Sequence, residues 1–196
     1  MSAQPDSRIR LATAADATAI SAIYAPYVSY STITFEIDPP PDAAEFGQRL
    51  AKIGQRYPWL VAESGGRVVG YAYAGEHRVR AAYRWNVEVG IYLDQTAHRR
   101  GIGRRLYGAL FELLRRQGYV NAYGVITVPN PASVGLHESL GFVPEALFPK
   151  SGYKDGAWRD VGWWSLRLQP PPLPPSEPVP LPQLDPAVVA AVLEQA

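Results

Sequence analysis

Three stretches of the 196-residue chain bring together side chains that could do chemistry. In Val87-Glu88-Val89-Gly90-Ile91-Tyr92-Leu93 a single carboxylate interrupts an apolar run. Period-two alternation puts Val87, Val89, Ile91 and Leu93 on one face of a strand and Glu88, Gly90 and Tyr92 on the other, unless a bulge shifts the register. A carboxylate in such a strand is costly unless it is paired or employed. Glu88 is therefore either a candidate general base or the partner of a nearby arginine. The second stretch is His98-Arg99-Arg100-Gly101-Ile102-Gly103-Arg104-Arg105. Its glycines allow close backbone approach, and the amides and dipole of a following helix favour an anion there. That combination suits a pyrophosphate, although a plain helix cap with solvated arginines would use the same residues. It is not a P-loop, since no Gly-Lys-Ser/Thr follows, nor a dinucleotide fingerprint, since Leu106 stands at the third glycine position. The third stretch, His77-Arg78-Val79-Arg80-Ala81-Ala82-Tyr83-Arg84, is a basic, aromatic loop leading into the Glu88 strand. It could grip a carboxylate bidentately or be merely solvated.

These residues need elements to position them. Residues 9–11 read as a short strand, and Thr13 to Asp16 as a helix start followed by Ile20, Ile23, Tyr24 and Tyr27 at helical spacing. Asp42 opens a second helix with Phe46, Leu50 and Ile53 on one face. Strands are expected at 59–63 and 67–74, joined by Ser64-Gly65-Gly66, and at 84–93. A helix over 103–117 with Leu106, Leu110, Leu113 and Leu114 inward stops at Gly118, and a strand follows at 119–128. Asn130-Pro131 starts a helix that Gly141 ends, and the last strands are expected at 142–147 and 161–168. The order βααβββαβαββ predicts a mixed α/β fold around one central sheet.

Composition bounds the rest. Lys+Arg 19 against Asp+Glu 18 leaves a net charge of +1, too little for a nucleic-acid or anionic-membrane surface. With no cysteine, disulfides, thiolate nucleophiles and cysteine-ligated metals are excluded. The opening residues lack a basic region followed by an apolar core, and the late apolar run 187–193 is far short of the ~20 residues of a membrane span. A soluble, cytoplasmic protein is expected. Nine of the 19 prolines lie in 170–186, which fixes φ and removes donors. Residues 1–169 are thus expected to form the domain. Residues 170–196 are expected to form an extended tail, more readily a spacer than a ligand for a partner domain, with a short helix from Asp185-Pro186.

Strand, then x-x-Gly101-x-Gly103, then an amphipathic helix, is similar to the acetyl-CoA loop of the GNAT superfamily of N-acetyltransferases, with His98 where Gln or Arg is usual. Asn130-x-x-Ser133-x-x-Leu136-His137-Glu138-Ser139-Leu140-Gly141-Phe142 resembles that superfamily's late helix and Gly-Phe turn. Thr34-Phe35-Glu36, Asn86-Val87-Glu88 and Gly152-Tyr153-Lys154-x-Gly156-x-Trp158-x-Asp160-Val161 resemble its phosphinothricin and methionine sulfoximine acetyltransferase branch. The resemblance, over roughly 8–168, implies a mainly antiparallel sheet flanked by helices, acetyl-CoA as cosubstrate without a metal, a small-molecule amine as acceptor and a homodimer.

By the same resemblance Glu88 is the general base. Gly90, Ile91 and Tyr92 supply the oxyanion amide, His98, Arg99, Arg100, Gly101, Ile102 and Gly103 hold the pyrophosphate, and Asn130 meets the pantetheine arm. His137 stands where many relatives carry a proton-donating Tyr. It could donate or orient, or be structural, with Tyr107 and Tyr92 as other donors. Arg78, Arg80 and Tyr83, with His77 and Val79 of their loop, fall at the substrate, and Phe35, Val87, Val125 and Val161 line the pocket. Trp158, Trp163 and Trp164 are expected in the core or at a dimer contact. Direct transfer is expected, since no cysteine could carry the acetyl group. Two alternatives stay open: another amine acceptor, such as a protein N-terminus or an aminoglycoside, or a non-catalytic acyl-CoA-binding module.

Overall fold

Seven strands and five helices form over residues 7–196, which a computed structural model describes; residues 1–6, where a leader was not expected, lie outside the described residues. In chain order they are β1 (Arg8–Leu11), α1 (Ala17–Ser29), α2 (Ala43–Gly54), β2 (Trp59–Ser64), β3 (Arg67–Glu76), β4 (Asn86–Leu93), α3 (Ile102–Gln117), β5 (Asn121–Val128), α4 (Pro131–Ser139), β6 (Val143–Lys154), β7 (Ala157–Arg167) and α5 (Pro186–Glu194). The helices end where their sequences say. The Asp42 carboxylate accepts from the Glu45 amide at 2.8 Å to open α2, Asn130 does the same for α4 through Ser133 (3.1 Å), and Gly118 at φ +93° closes α3.

The strands form one sheet in the order β1-β2-β3-β4-β5-β7-β6. Every pair is antiparallel except β4–β5, the expected mixed and mainly antiparallel arrangement. β3 and β4 pair without a break from Gly70↔Leu93 to Glu76↔Val87, so no bulge intervenes and the alternation around Glu88 holds. β4 and β5, by contrast, pair only from Asn86↔Asn121 to Val89↔Gly124 and then part.

Each sheet face has its own core. Val87, Val89 and Ala122 pack with Leu106, Leu110, Leu113 and Leu114 of α3 and with Val192 of α5. On the opposite face Ile20 and Tyr24 of α1 and Phe46 of α2 pack on Trp59, Val61 and Tyr71. None of the described helices is long and apolar enough to cross a membrane.

Four expectations change. The strand expected at 84–93 begins at Asn86, because Ala81–Tyr83 forms a 3-10 turn capped by Arg84. The strand expected from 119 begins at Asn121, because the Tyr119 amide is drawn back to the Leu114 carbonyl (3.0 Å). The last two strands are longer than expected and form a hairpin turned at Asp155 (φ +52°) and Gly156 (φ +71°). Two successive positive φ angles at an Asp-Gly pair are the type I′ hairpin signature. The tail does not project as a spacer. The Val179 amide donates to the Gln117 carbonyl (2.8 Å), the Leu181 amide to the Arg56 carbonyl (3.0 Å), and α5 buries Val192.

Candidate active site

The parting of β4 and β5 places the predicted residues on two sides of a gap. Glu88 stands across from Tyr123 in the parallel register, and Val125 stands across from Trp163 in the β5–β7 register. Alternation therefore puts Glu88, Gly90, Tyr92, Tyr123, Val125, Trp163 and Val161 on one face. Gly124 and Val89 point to the other. A Cβ at Gly124 would lie 2.8 Å from the His137 ring, so the imidazole is packed against the sheet where the strands separate. Glu88 and His137 thus occupy opposite faces at the mouth of one gap.

On the first face, Glu88 is partly buried and meets His77, whose Nδ1 lies 3.2 Å from Glu88 Oε1. The His77 ring stacks on Tyr123 (centroids 4.4 Å, 15°) and meets Trp163 and Tyr83 edge-on at 5.6 and 6.1 Å. Arg78 lies over the Trp163 ring at 5.2 Å. Burial pushes the Glu88 carboxyl up from the usual carboxylate range, and Arg78 pulls it partly back. Burial, reinforced by the Arg78 charge, pushes His77 down. A neutral His77 donating Nδ1–H to an ionised Glu88 fits both shifts, and it leaves Glu88 a stronger base than a free glutamate.

Arg78, Val79, Arg80 and Tyr83 line a cleft of about 300 Å³ with Glu76, Arg84 and Glu177; Glu88 is outside that lining and reaches the loop through His77. Phe35 and Val125 are partly exposed, whereas Val161 and Val87 are buried. Phe35 is set by its loop. Lys154, itself 3% exposed, donates to the carbonyls of Val28 (2.7 Å) and Thr34 (3.0 Å), and Arg49 holds Glu36 at 2.8 Å. The ring then lies over Gly152, where any Cβ would be 2.2 Å from it.

On the second face His137 is 2% exposed. Its Nδ1 is 2.8 Å from the Ser133 carbonyl, which can only accept, so the proton sits on Nδ1 and the Nε2 lone pair faces the Tyr107 hydroxyl at 3.2 Å. Burial lowers the His137 pKa and raises that of Tyr107 well above 10, so both stay neutral. Tyr92, the other candidate donor, is instead in the aromatic cluster of the first face, edge-on to Tyr24 (4.8 Å) and Tyr27 (5.2 Å).

The glycine loop leads from β4 to α3. Arg99 (φ +59°) and Gly101 (φ +77°) both adopt left-handed backbone, turning the chain so that the amides of Ile102, Gly103 and Arg104 precede the first helical bond, Arg105 N–H to the Gly101 carbonyl at 3.1 Å. His98 is held by its ring, with Nε2 3.3 Å from the Leu93 carbonyl and 3.1 Å from the Tyr27 hydroxyl. Arg104 is bonded to Ser139 (3.0 Å to Oγ) and Arg105 to Ser7 and to the Ala196 carbonyl (2.8 Å), so these two arginines brace α3. The Asn130 side-chain oxygen is spent on its helix cap. Beyond Val89 the β5-facing edge of β4 has no strand partner among the described residues, which leaves backbone donors for a ligand.

Sequence reasoning missed Tyr123 and the Tyr107–His137 contact, and it set Trp163 in the core or at a dimer contact. Trp163 is not in the core but half-buried on the open face beneath Arg78, and the Ala122-Tyr123-Gly124-Val125 alternation was the available signal. Trp164 is buried, donating Nε1–H to Glu138 (3.2 Å), and Trp158 is mostly exposed beside Tyr153.

Residues 9–163 match the family model described as acetyltransferase (GNAT) domain. The chain is 42% identical over 168 residues to a phosphinothricin N-acetyltransferase of Streptomyces viridochromogenes, covering 85% of this chain and 91% of that one. It is 36% identical to an L-methionine sulfoximine/L-methionine sulfone acetyltransferase of Pseudomonas paraeruginosa, covering 83% and 95%. Among solved structures, a phosphinothricin acetyltransferase of Sinorhizobium meliloti in complex with AcCoA superposes with a TM-score of 0.78 at 37% identity, covering 82% and 88%.

Proposed function

Since the chain belongs to the GNAT family of acetyltransferases, we propose that it acetylates the α-amine of a small anionic amino-acid analogue from acetyl-CoA, with Glu88 as general base. The likeness to relatives named for phosphinothricin and for methionine sulfoximine and sulfone supports this acceptor class. The observation that carries the reading is the β4–β5 gap, with Glu88 and the loop arginines on one face and His137 with Tyr107 on the other.

The residues present fit acetyl-CoA. The first amides of α3, reached through left-handed Arg99 and Gly101, suit a pyrophosphate, and the unpaired β4 edge from Gly90 suits an amide-bearing arm. Bound there, acetyl-CoA supplies an acyl thioester whose acetyl group passes to the amine as the sulfur leaves. Arg78 and Arg80 hold the acceptor's carboxylate, and its hydrophobic part lies against Phe35, Val125 and Val161. Glu88 takes a proton from the acceptor ammonium, the step that makes the amine nucleophilic. A β4 amide at Gly90 to Tyr92 donates to the carbonyl oxygen as charge develops on it. On the far face the Tyr107 hydroxyl, which donates to His137 Nε2, is assigned as the proton source for the departing sulfur, to which it would turn as charge develops there. Direct transfer fits a chain with no cysteine to carry the acetyl group.

The edge strand β6 exposes Val143, Leu147 and Phe148, with Tyr153 and Trp158 exposed at its turn, and we assign this sheet edge to a homodimer. The function is tested by CoA release with phosphinothricin, methionine sulfoximine, methionine sulfone, an aminoglycoside and a test peptide. Turnover on the first three is expected. Turnover confined to the aminoglycoside or peptide would contradict the acceptor class.

A further inference from the structure

The match to the family model ends at residue 163, yet the chain continues to Ala196 and its last segment makes specific contacts. Two fall on the residues that close the basic loop. Arg84 donates Nε–H to the Ala81 carbonyl (2.7 Å), capping the 3-10 turn, while another guanidinium nitrogen is ion-paired to Glu177. Trp85 donates Nε1–H to the Ser176 carbonyl at 2.7 Å. The tail is itself anchored just beyond. Gln117, 1% exposed, donates through its amide to the carbonyls of Val179 (2.8 Å) and Arg56 (2.7 Å), and α5 is docked on the core. Residues 176–179 therefore tie the loop to a fixed point at the end of α3.

Electrostatics gives the tie a consequence. Arg56, Arg78, Arg80 and Arg84 all line one cleft, together with the carboxylates of Glu76 and Glu177. Pairing Arg84 with Glu177 offsets one of the four positive charges, and with Glu76 counted the cleft still keeps a net positive charge in which Arg78 and Arg80 can face an anion.

We propose that Ser176 and Glu177 are positioning residues for the acceptor, holding Arg84 and Trp85 so that Arg78, Arg80 and Tyr83 keep the geometry that binds it. The proposal rests on the reading that this loop binds the amine substrate. In the Glu177→Ala/Trp85→Phe double variant, the KM for the best amine should rise about tenfold, the sum expected of one exposed ion pair and one neutral hydrogen bond. The KM for acetyl-CoA should be unchanged, Tm should fall by no more than a few degrees, and amide exchange over 78–84 should accelerate. Reversing the pair, with Arg84→Glu and Glu177→Arg together, should restore much of what either single reversal loses, a rescue that general loosening would not give. An unchanged amine KM, or equal rises in both KM values with a large fall in Tm, would overturn the proposal. Should the wild-type protein acetylate no amine in the panel, the substrate reading fails. Amide exchange then decides the tie alone, acceleration at 78–84 supporting it and unchanged exchange refuting it.

Discussion

At the scale of single residues, the proposed mechanism separates two proton tasks by putting them on opposite faces of one sheet. Burial raises the Glu88 carboxyl beside neutral His77, which suits it to the proposed base; burial keeps Tyr107 protonated beside neutral His137, which suits it to the proposed donor. Tyr107→Phe should lower kcat by at most about 10²-fold, since burial makes the hydroxyl a weak acid, and leave both KM values nearly unchanged. Steady-state kinetics on the purified variant checks this, and an unchanged kcat would remove Tyr107 as donor. The placement of Glu88 was legible because alternation needs only the strand's own residues. The roles of Tyr123, Trp163 and His137 were not, because they depend on which strands become neighbours and on where β4 and β5 part, neither of which is encoded in one segment.

At the scale of elements, the helices and most strands were legible from caps and periodicity, and the misses occur where local turn chemistry wins. The Asp155-Gly156 pair extends the last two strands into a hairpin across residues to which no element had been assigned, and the turn over Ala81–Tyr83 shortened β4. Packing against the sheet is also set by what a side chain replaces. His137 fits only because residue 124 is glycine, and Phe35 only because residue 152 is. The junction of β1 with α1 depends on Asp16, 6% exposed, which receives Arg10 in a bidentate pair (2.8 and 2.8 Å) and the Thr13 amide (2.7 Å). The Arg10 hydrogen bonds hold its carboxyl at about 2 against 3.8. The folded pKa is depressed, so this stabilisation is present above about pH 4 and is lost as pH falls toward 2. It corresponds to about 2 kcal/mol. Asp16→Asn should lose about that much at pH 7 by denaturant unfolding and show a flatter acid limb. An unchanged midpoint would contradict this.

At the scale of the whole molecule, the protein is a GNAT domain whose C-terminal segment folds back on it. The prolines correctly announced an extended path, but not that the path lies on the protein. Its anchors, Gln117 and Arg56, are far away in sequence, and a proline-rich run has no periodicity to reveal a buried side. The exposed apolar edge strand β6 bears on assembly. Leu147→Glu, a charge introduced on that edge, should convert a dimer of twice the chain mass into a monomer by light scattering. A wild-type protein that is already monomeric at high concentration would refute the assigned interface.

The central claim is that Glu88 is the base for acetylation of a small amine in the β4–β5 gap. The most direct measurement is the pH dependence of kcat/KM for phosphinothricin with wild-type protein and with Glu88→Gln, alongside acetyl-CoA binding. The account expects the wild-type rate to rise with pH through an ionisation above 4.5, the ordinary glutamate value, because burial raises that of Glu88. It expects Glu88→Gln to bind acetyl-CoA normally and to lose roughly 10²–10⁴-fold in rate near neutral pH, with the loss narrowing as the amine deprotonates at higher pH. A variant as fast as wild type, with the same pH profile, would contradict the account.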